Sequence, residues 1–205
     1  MTPFERYCEM IQAGEIGNIP WSLREINGEN NRTLAHWAAE RKLLPDDFSE
    51  WLIEDAHGLT VVEVALASDG LPDDFSEWDM MLWHHGCMVA HKAAETGKLP
   101  ASFDRWDFST ESGTTVAHIL ADLGQLPVSL LKNPVMGVCD QDGISPFHIL
   151  ARNGALPEGF DKWDHAGSSG WTVAHEAVSG QVLDNDFSWW HLRDEDGTSV
   201  ARAAL

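Results

Sequence analysis

A unit of about 27 residues recurs along nearly the whole of the 205-residue chain, and it limits the possible folds more than any other feature. Its clearest marker is a Leu-Pro pair, whose successive copies are 25, 27, 28, 27, 30 and 27 residues apart. The copies stand at Ile19-Pro20, Leu44-Pro45, Leu71-Pro72, Leu99-Pro100, Leu126-Pro127, Leu156-Pro157 and Leu183-Asp184. A unit this small cannot bury both faces of its own helices, so neighbouring units must stack to complete a core.

A Thr-x-x-His motif also recurs once in each unit, and its spacing varies together with that of the Leu-Pro pair. Its equivalent positions in successive units form a second column. It is occupied by Thr33/His36, Thr60/Glu63, Met88/His91, Thr115/His118, Ser145/His148, Thr172/His175 and Thr198/Ala201. The hydroxyl residue predicts the N-cap of a first helix, such as Thr115 to Ala121, whose apolar residues have helical spacing. We expect a left-handed glycine to end this helix at Gly70, Gly97, Gly124 and Gly154.

The second half of each unit begins with the proline, which is favoured in the first turn of a helix. It predicts a short second helix, such as Asp46 to Trp51, with Phe and Trp three residues apart on one face. A polar loop then leads to the next unit through Gly58, Gly86, Gly113, Gly143, Gly170 and Gly197.

The whole chain, residues 1–205, is therefore predicted to be a single repeat domain. An amphipathic stretch from Phe4 to Ala13 predicts an N-terminal capping helix within residues 1–16. Six to seven repeats occupy residues 17–197, and residues 198–205 provide a lone first helix that caps the other end.

The run Gly-x-Thr-Val-Ala-His-x-Ala-Ala-x-x-Gly resembles the signature of ankyrin repeats, and Gly143 to His148 is the copy that keeps the proline after the hydroxyl residue. The resemblance covers residues 17–205 and implies an all-α, ankyrin-like helical repeat solenoid with short second helices and loop connections. Ankyrin units typically have 33 residues, and these are about six shorter. They are similar to short variant repeats of proteobacteria and their phages. The resemblance implies protein–protein recognition without catalysis or cofactor.

Charge narrows the choice of partner. The chain has 13 Lys and Arg against 33 Asp and Glu, for a formal net charge of −20. Direct binding to nucleic acid or to an anionic membrane is disfavoured by repulsion, whereas a partner protein with a basic surface is favoured. Three scattered cysteines, no signal peptide and no long apolar run predict a cytoplasmic protein, in the host cytoplasm if phage-encoded. The oligomeric state stays open.

The ten histidines raise the question of a metal or catalytic site. Five of them share one column, and residues one repeat apart do not converge on one metal, so we interpret them as structural: His36, His91, His118, His148 and His175. We therefore expect no metal and no catalytic residue. The alternative is a hydrolase-like enzyme with its site on the loops around His84, His85 and Cys87.

Tryptophan provides candidates for partner binding. Five of the ten recur three residues after a Phe and are expected in the core: Trp51, Trp78, Trp106, Trp163 and Trp190. Trp37, Trp83 and Trp171 fall outside this column, and Trp is enriched at binding hot spots. We therefore assign these three to a partner surface, with local packing as the alternative.

Acidic residues recur around the second segment of each unit. Carboxylates at helix N-termini are stabilising by about 0.3–1 kcal/mol, which explains their position but not their number. The candidate partner-binding acids are Asp46, Asp47, Glu50, Asp73, Asp74, Glu77, Asp79, Asp104 and Asp107. Rows of carboxylates form either a solubility device or a binding surface. A sharper hypothesis is a nucleic-acid mimic that inhibits a host defence or nucleic-acid-handling protein; a scaffold or immunity protein needs the same kind of surface.

Overall fold

The computed structural model describes residues 1–15, 17, 19–21, 32–183 and 187–205. Its Cα positions form two compact units, residues 1–100 and 101–205. Residues 18 and 22–31 of the first predicted repeat, and Asp184 of the Leu183-Asp184 site, lie outside the described residues. The division into one repeat domain with a cap at each end stays a prediction.

Short α-helices dominate both units. Unit 1 contains α1 (Pro3–Gln12), α2 (Leu34–Glu40), α3 (Val61–Ala67), a hairpin of β1 (Met81–Leu82) and β2 (Cys87–Met88), and α4 (Val89–Glu95). Unit 2 contains α5 (Val116–Asp122), two 3₁₀ helices (Val128–Lys132 and Pro134–Gly137), α6 (Pro146–Arg152), α7 (Val173–Ser179) and α8 (Val200–Ala203). The described elements are those of the predicted mostly helical repeat fold.

The first helices α2, α3, α5, α6 and α7 begin at the predicted hydroxyl residue, whereas α4 follows Met88. Thr115 is extended, with φ −90° and ψ 165°, and its hydroxyl oxygen accepts from the backbone N–H of His118 at the N-terminus of α5. A seven-residue helix is marginal on its own, so its stability depends on packing. Accordingly Val116, Ala117 and Ala121 of α5 are fully buried or nearly so.

Helix ends follow the prediction with one exception. Gly97, Gly124 and Gly154 have φ between 65° and 67°, the left-handed conformation that ends α4, α5 and α6. After α3 the left-handed residue is Asp69, with φ 55°, and Gly70 comes one position later. The assignment of Gly70 is therefore wrong. Gly70 is needed for space instead, because a Cβ there would lie 2.9 Å from the Ala39 carbonyl oxygen.

The predicted second helix from Asp46 to Trp51 is wrong. Between Asp46 and Trp51 the chain makes only tight turns, closed by bonds such as Phe48 N–H to the Pro45 carbonyl at 3.0 Å. Phe48 and Trp51 are both buried. The backbone bonds here join residues three apart, as Ile53 N–H to the Glu50 carbonyl also does, so the segment lacks the i→i−4 bonds of an α-helix. The short second helix is present as 3₁₀ helix in the 30-residue unit after Leu126-Pro127.

Aromatic rings connect the second segments of neighbouring repeats. In unit 1, Phe48 meets Trp51 edge-on at 4.9 Å, Trp51 meets Phe75 at 5.4 Å, and Phe75 meets Trp78 at 4.8 Å. In unit 2 the contacts between Phe160, Trp163, Phe187 and Trp190 have centroid distances between 5.0 and 5.2 Å. Edge-to-face pairs of this kind add about 0.5–1.5 kcal/mol beyond area burial. Trp51 is buried in the core, as predicted, whereas Trp78, Trp106 and Trp163 are partly buried and pack against the core. Trp190 is also only partly buried.

The polar loops contain antiparallel pairing that the sequence did not indicate. β1 pairs with β2 through Met81–Met88 and Leu82–Cys87. Single bridges occupy the same place in other repeats: Glu54–Thr60, Ser109–Thr115, Ala166–Thr172 and Arg193–Ser199. The loop glycines, such as Gly58 and Gly143, are left-handed, as these tight returns require.

The last column position is shifted by one residue. Ser199 caps α8, and its hydroxyl oxygen accepts from Arg202 N–H at 3.2 Å. The Thr198 carbonyl instead receives the His175 side chain at 3.1 Å. The assignment of Thr198 and Ala201 to the Thr-x-x-His column is therefore wrong, because Ser199 is the hydroxyl residue that starts the helix.

Candidate interaction surface

Four of the column histidines connect their first helix to the next repeat. His118 Nδ1 lies 2.7 Å from the Thr115 hydroxyl and accepts from the Thr115 backbone N–H at 3.0 Å. Its Nε2 lies 2.9 Å from the carbonyl oxygen of Ile144 in the following repeat. His36, His148 and His175 make the same pair of contacts. The prediction that these histidines are structural is confirmed.

The contacts fix the chemical state of the ring. Nδ1 accepts from a backbone N–H, so it carries no proton, and Nε2 faces a carbonyl, so it must donate. The imidazole is therefore neutral. Burial lowers the pKa of His118 and of His148, in agreement with a neutral ring that would lose a bond on protonation.

Glu63 takes the histidine position in one repeat. Its Oε2 accepts from the Thr60 hydroxyl at 2.7 Å and from the Thr60 backbone N–H at 2.9 Å. Its Oε1 lies 2.8 Å from Nε2 of His85, on the loop between β1 and β2. A carboxylate cannot donate to a carbonyl, so here a histidine from the next loop supplies the connection between repeats.

His84, beside it, has a different partner. His84 Nε2 lies 3.2 Å from Glu54 Oε2, and its ring covers Gly58, where a Cβ would lie 2.9 Å from ring atoms. Cys87 is buried, and this burial raises the pKa of its thiol, which disfavours the nucleophilic thiolate. Among the described residues, each of these two histidines contacts a glutamate, and neither forms a hydrogen bond with Cys87. The geometry gives no support to the enzyme alternative.

All nine candidate acids are exposed. Seven of them belong to unit 1, where Asp46, Asp47 and Glu50 hold the same offsets from Leu-Pro as Asp73, Asp74 and Glu77, and Asp79 follows Trp78. The edge-on contact of Trp51 with Phe75 shows that the two turns that carry these carboxylates pack against each other. In the described part of the chain none of the seven forms a salt bridge. In unit 2, Asp107 lies 3.4 Å from Arg105 Nε.

Trp83 is the most exposed tryptophan of the described residues. It lies in the loop between β1 and β2, with 76% of its surface exposed. The two residues that follow, His84 and His85, attach the loop to Glu54 and Glu63 of the preceding repeat. The attachment holds the loop in place and leaves the indole in solvent.

The other two candidate tryptophans are half-buried and have intramolecular partners. The Arg41 guanidinium lies 4.5 Å from the ring centre of Trp37, which packs beside the core of α1 and α2. Trp171 donates from its indole N–H to Glu176 at 2.8 Å and lies 4.8 Å from the His175 ring. A role of either residue in binding stays a prediction.

Comparison with known proteins settles the fold. No protein-family model and no curated protein match the sequence. Among solved structures, the ankyrin repeat domain of Bcl-3, a unique member of the IkappaB protein family, aligns with 99% of this chain and 90% of its own, with a TM-score of 0.52. The chain has an ankyrin-repeat-like fold. The two sequences are 15% identical, so the likeness of these ankyrin-like repeats to that domain concerns the fold alone.

Sequence reasoning missed the pairing of His85 with Glu63. A signal was present, because Glu63 stands three residues after Thr60, as the acid of a capping box does. The contact with His85 depends on the hairpin between β1 and β2, which no pattern in the sequence indicated. In the described ranges no helix is long and apolar enough to cross a membrane.

Proposed function

We propose that this protein is a non-catalytic protein–protein interaction module whose acidic repeat surface binds a partner protein with a basic surface. The observation that supports it is the group of seven exposed carboxylates in unit 1, for which the described residues offer no salt-bridge partner. Like charges held close together raise the energy of the free protein. A cationic partner relieves this repulsion and is attracted over a distance of about 10 Å at 0.1 M salt.

Trp83 provides the apolar contact that an acidic surface by itself lacks. Interfaces commonly combine one or a few buried aromatic anchors with a polar rim. Trp83 is exposed, and its loop is attached through His85 to the buried carboxylate of Glu63. A side chain held in this way loses little freedom on binding. We therefore propose that Trp83 is an anchor in the same interface.

A finer proposal concerns the kind of partner. Repeated carboxylates at equal offsets, such as Asp46 and Asp73 or Glu50 and Glu77, present charges at regular intervals, as a phosphate backbone does. Such a surface suits the nucleic-acid groove of a DNA- or RNA-handling protein. We propose that the chain inhibits such a protein, including one that serves host defence, by occupying its groove.

The experiment begins with a partner recovered by affinity capture and then purified, whose dissociation constant is measured between low and high salt. We expect affinity to fall steeply with salt, mostly through the association rate. The variant Asp46→Asn, Asp47→Asn, Glu50→Gln should weaken binding and flatten the salt dependence. The matched control, Glu111→Gln, Glu195→Gln, Asp196→Asn, removes three exposed charges from unit 2 and should have little effect.

Two results would contradict the proposal. Affinity that ignores salt removes the acidic surface as the source of binding. If the two triple variants weaken partner binding equally, binding depends on the net charge of the chain and not on Asp46, Asp47 and Glu50. The mimic has its own test: DNA or RNA that the partner binds should compete with this chain. Simultaneous binding of both would overturn the mimic and leave the interaction module in place.

A further inference from the structure

A cleft of about 220 Å³ lies in unit 1, between the end of α3 and two successive Leu-Pro sites. Its apolar wall includes Leu71, Pro72, Trp78 and Pro100. Pockets for drug-sized ligands measure about 300–1,000 Å³, so this cleft suits a single long side chain better than a cofactor. Asp73, one of the seven exposed carboxylates, lines the cleft, so the cleft adjoins the acidic surface.

Three charged residues line the same cleft: Asp69, Asp73 and Lys98. Asp69 follows α3 in the left-handed conformation and forms an ion pair with Lys98, 29 residues later. The hydrogen bond from Lys98 lowers the pKa of Asp69, so this carboxyl is ionised. Asp73 is exposed and has no salt bridge in the described part of the chain. The protein's own lysine therefore already places a cation beside one of two carboxylates.

We propose that this cleft receives an arginine side chain of the basic partner, an inference that rests on the proposed function. The aliphatic stem of the arginine packs against Leu71, Pro72 and Pro100. Its guanidinium takes the place of the Lys98 ammonium beside Asp69 and also bonds to Asp73.

Arginine fits the cleft better than lysine does. A guanidinium is planar, more weakly hydrated than an ammonium, and offers five N–H donors that can serve two carboxylates together. An aromatic ring in the wall, here Trp78, attracts the same cation. An ammonium bonds as a compact point charge and loses more hydration on entering the cleft.

The test uses the full chain labelled with nitrogen-15 and titrated with N-acetyl-arginine amide. The indole N–H resonance of Trp78, identified with Trp78→Phe, should shift and saturate. N-acetyl-citrulline amide, which has nearly the same shape and no charge, should leave it unmoved. An equal response to citrulline would overturn the proposal, and so would tighter binding of N-acetyl-lysine amide.

Lys98 gives the sharpest variant. Lys98→Met keeps a long stem and removes the competing charge, so the arginine probe should bind several-fold more tightly. Lys132→Met, an exposed lysine that does not line the cleft, is the control and should change nothing. Asp69→Asn with Asp73→Asn should abolish the shift in a chain whose circular dichroism is unchanged. Unchanged or weaker binding to Lys98→Met contradicts the displacement of the lysine.

The purified partner separates this inference from the proposed function. Asp69→Asn with Asp73→Asn should weaken partner binding about tenfold or more. If the Asp46, Asp47 and Glu50 changes weaken binding and the cleft changes do not, the cleft proposal fails and the acidic interface stands. If neither set matters, both fail.

Discussion

Glu63 reaches His85 across the boundary between two repeats, with its Oε1 2.8 Å from His85 Nε2. The other oxygen of the same carboxylate caps α3 through Thr60. In other repeats a neutral imidazole on the helix donates to a carbonyl of the next loop. In this repeat the helix provides the acceptor, Glu63, and the next loop provides the donor, His85. The exchange attaches the loop that carries Trp83, so the most exposed tryptophan of the described residues depends on a buried acid.

Replacing Glu63 by alanine should lower the free energy of unfolding by about 1–3 kcal/mol, because the buried donors of Thr60 lose their acceptor. His85→Ala should cost less, under about 1 kcal/mol, since its side chain is 44% exposed. Urea denaturation measures both. Glu95→Ala, which removes a surface ion pair with Lys92, is the control and should lie near zero. A cost for Glu63→Ala no larger than the control's would contradict the capping role.

Stability should fall as the pH falls below about 6.5, the ordinary histidine pKa. Burial lowers the pKa of His118 and of His148 in the folded state, so the unfolded chain takes up protons first and acid favours unfolding. This contribution is fully present above the ordinary pKa. Urea midpoints at about pH 7.5 and about pH 5.5 measure the effect.

His118→Gln together with His148→Gln should flatten that pH dependence. A remainder should persist, because burial also lowers the pKa of His165. The double variant should also be less stable at neutral pH, through poorer hydrogen bonds to Ile144 and Trp171. A slope equal to that of the original chain would show that these two rings do not govern the acid response.

Gly180→Ala should destabilise unit 2 by about 1–3 kcal/mol or more, because the added methyl group has no space. A Cβ at Gly180 would lie 2.2 Å from the Arg152 carbonyl oxygen, which is backbone and cannot swing away. Gly17→Ala is the matched control, since a Cβ there would meet nothing within 4 Å. Thermal unfolding compares them, and equal melting temperatures would contradict the close approach of α6 and the end of α7.

Trp83→Ala should change the free energy of unfolding by less than about 0.5 kcal/mol, as expected for an exposed side chain. Trp51→Ala should cost about 3–5 kcal/mol, because Trp51 is 2% exposed and contacts Phe48 and Phe75. When affinity for the partner is measured on folded protein, Trp83→Ala should weaken binding more than Trp51→Ala does. The loss for Trp83→Ala should be similar at low and high salt. Full affinity in Trp83→Ala would remove this residue from the interface.

The sequence predicted the first helices because their caps depend on contacts three or four residues apart, and it predicted the histidines because they recur with the repeat. Thr115 and His118 show this, since their hydrogen bonds are local and recur with the repeat. The second segment was predicted less well. Pro45, Phe48 and Trp51 have helical spacing, but the burial of both rings determines the path of the chain, and burial arises from the neighbouring repeat.

For the candidate surface, exposure of the nine acids could be expected from their position in the turns. The contacts that make Trp37 and Trp171 differ from the exposed Trp83 could not be predicted. Each of the latter two meets a partner, Arg41 or Glu176, whose relevance appears only once the helices are placed. The cleft at Asp69 was beyond prediction for a similar reason, because it needs Lys98 from the next repeat.

The acceptor for His36, His118, His148 and His175 is a main-chain carbonyl, and this has a consequence for how the repeats can diversify. A carbonyl is offered by every amino acid, so the joint between repeats imposes no identity on the residue that provides it. In this chain those residues are Leu59, Ile144, Trp171 and Thr198. Evolution or design can therefore exchange these side chains, or whole units, and leave the joint chemically unchanged.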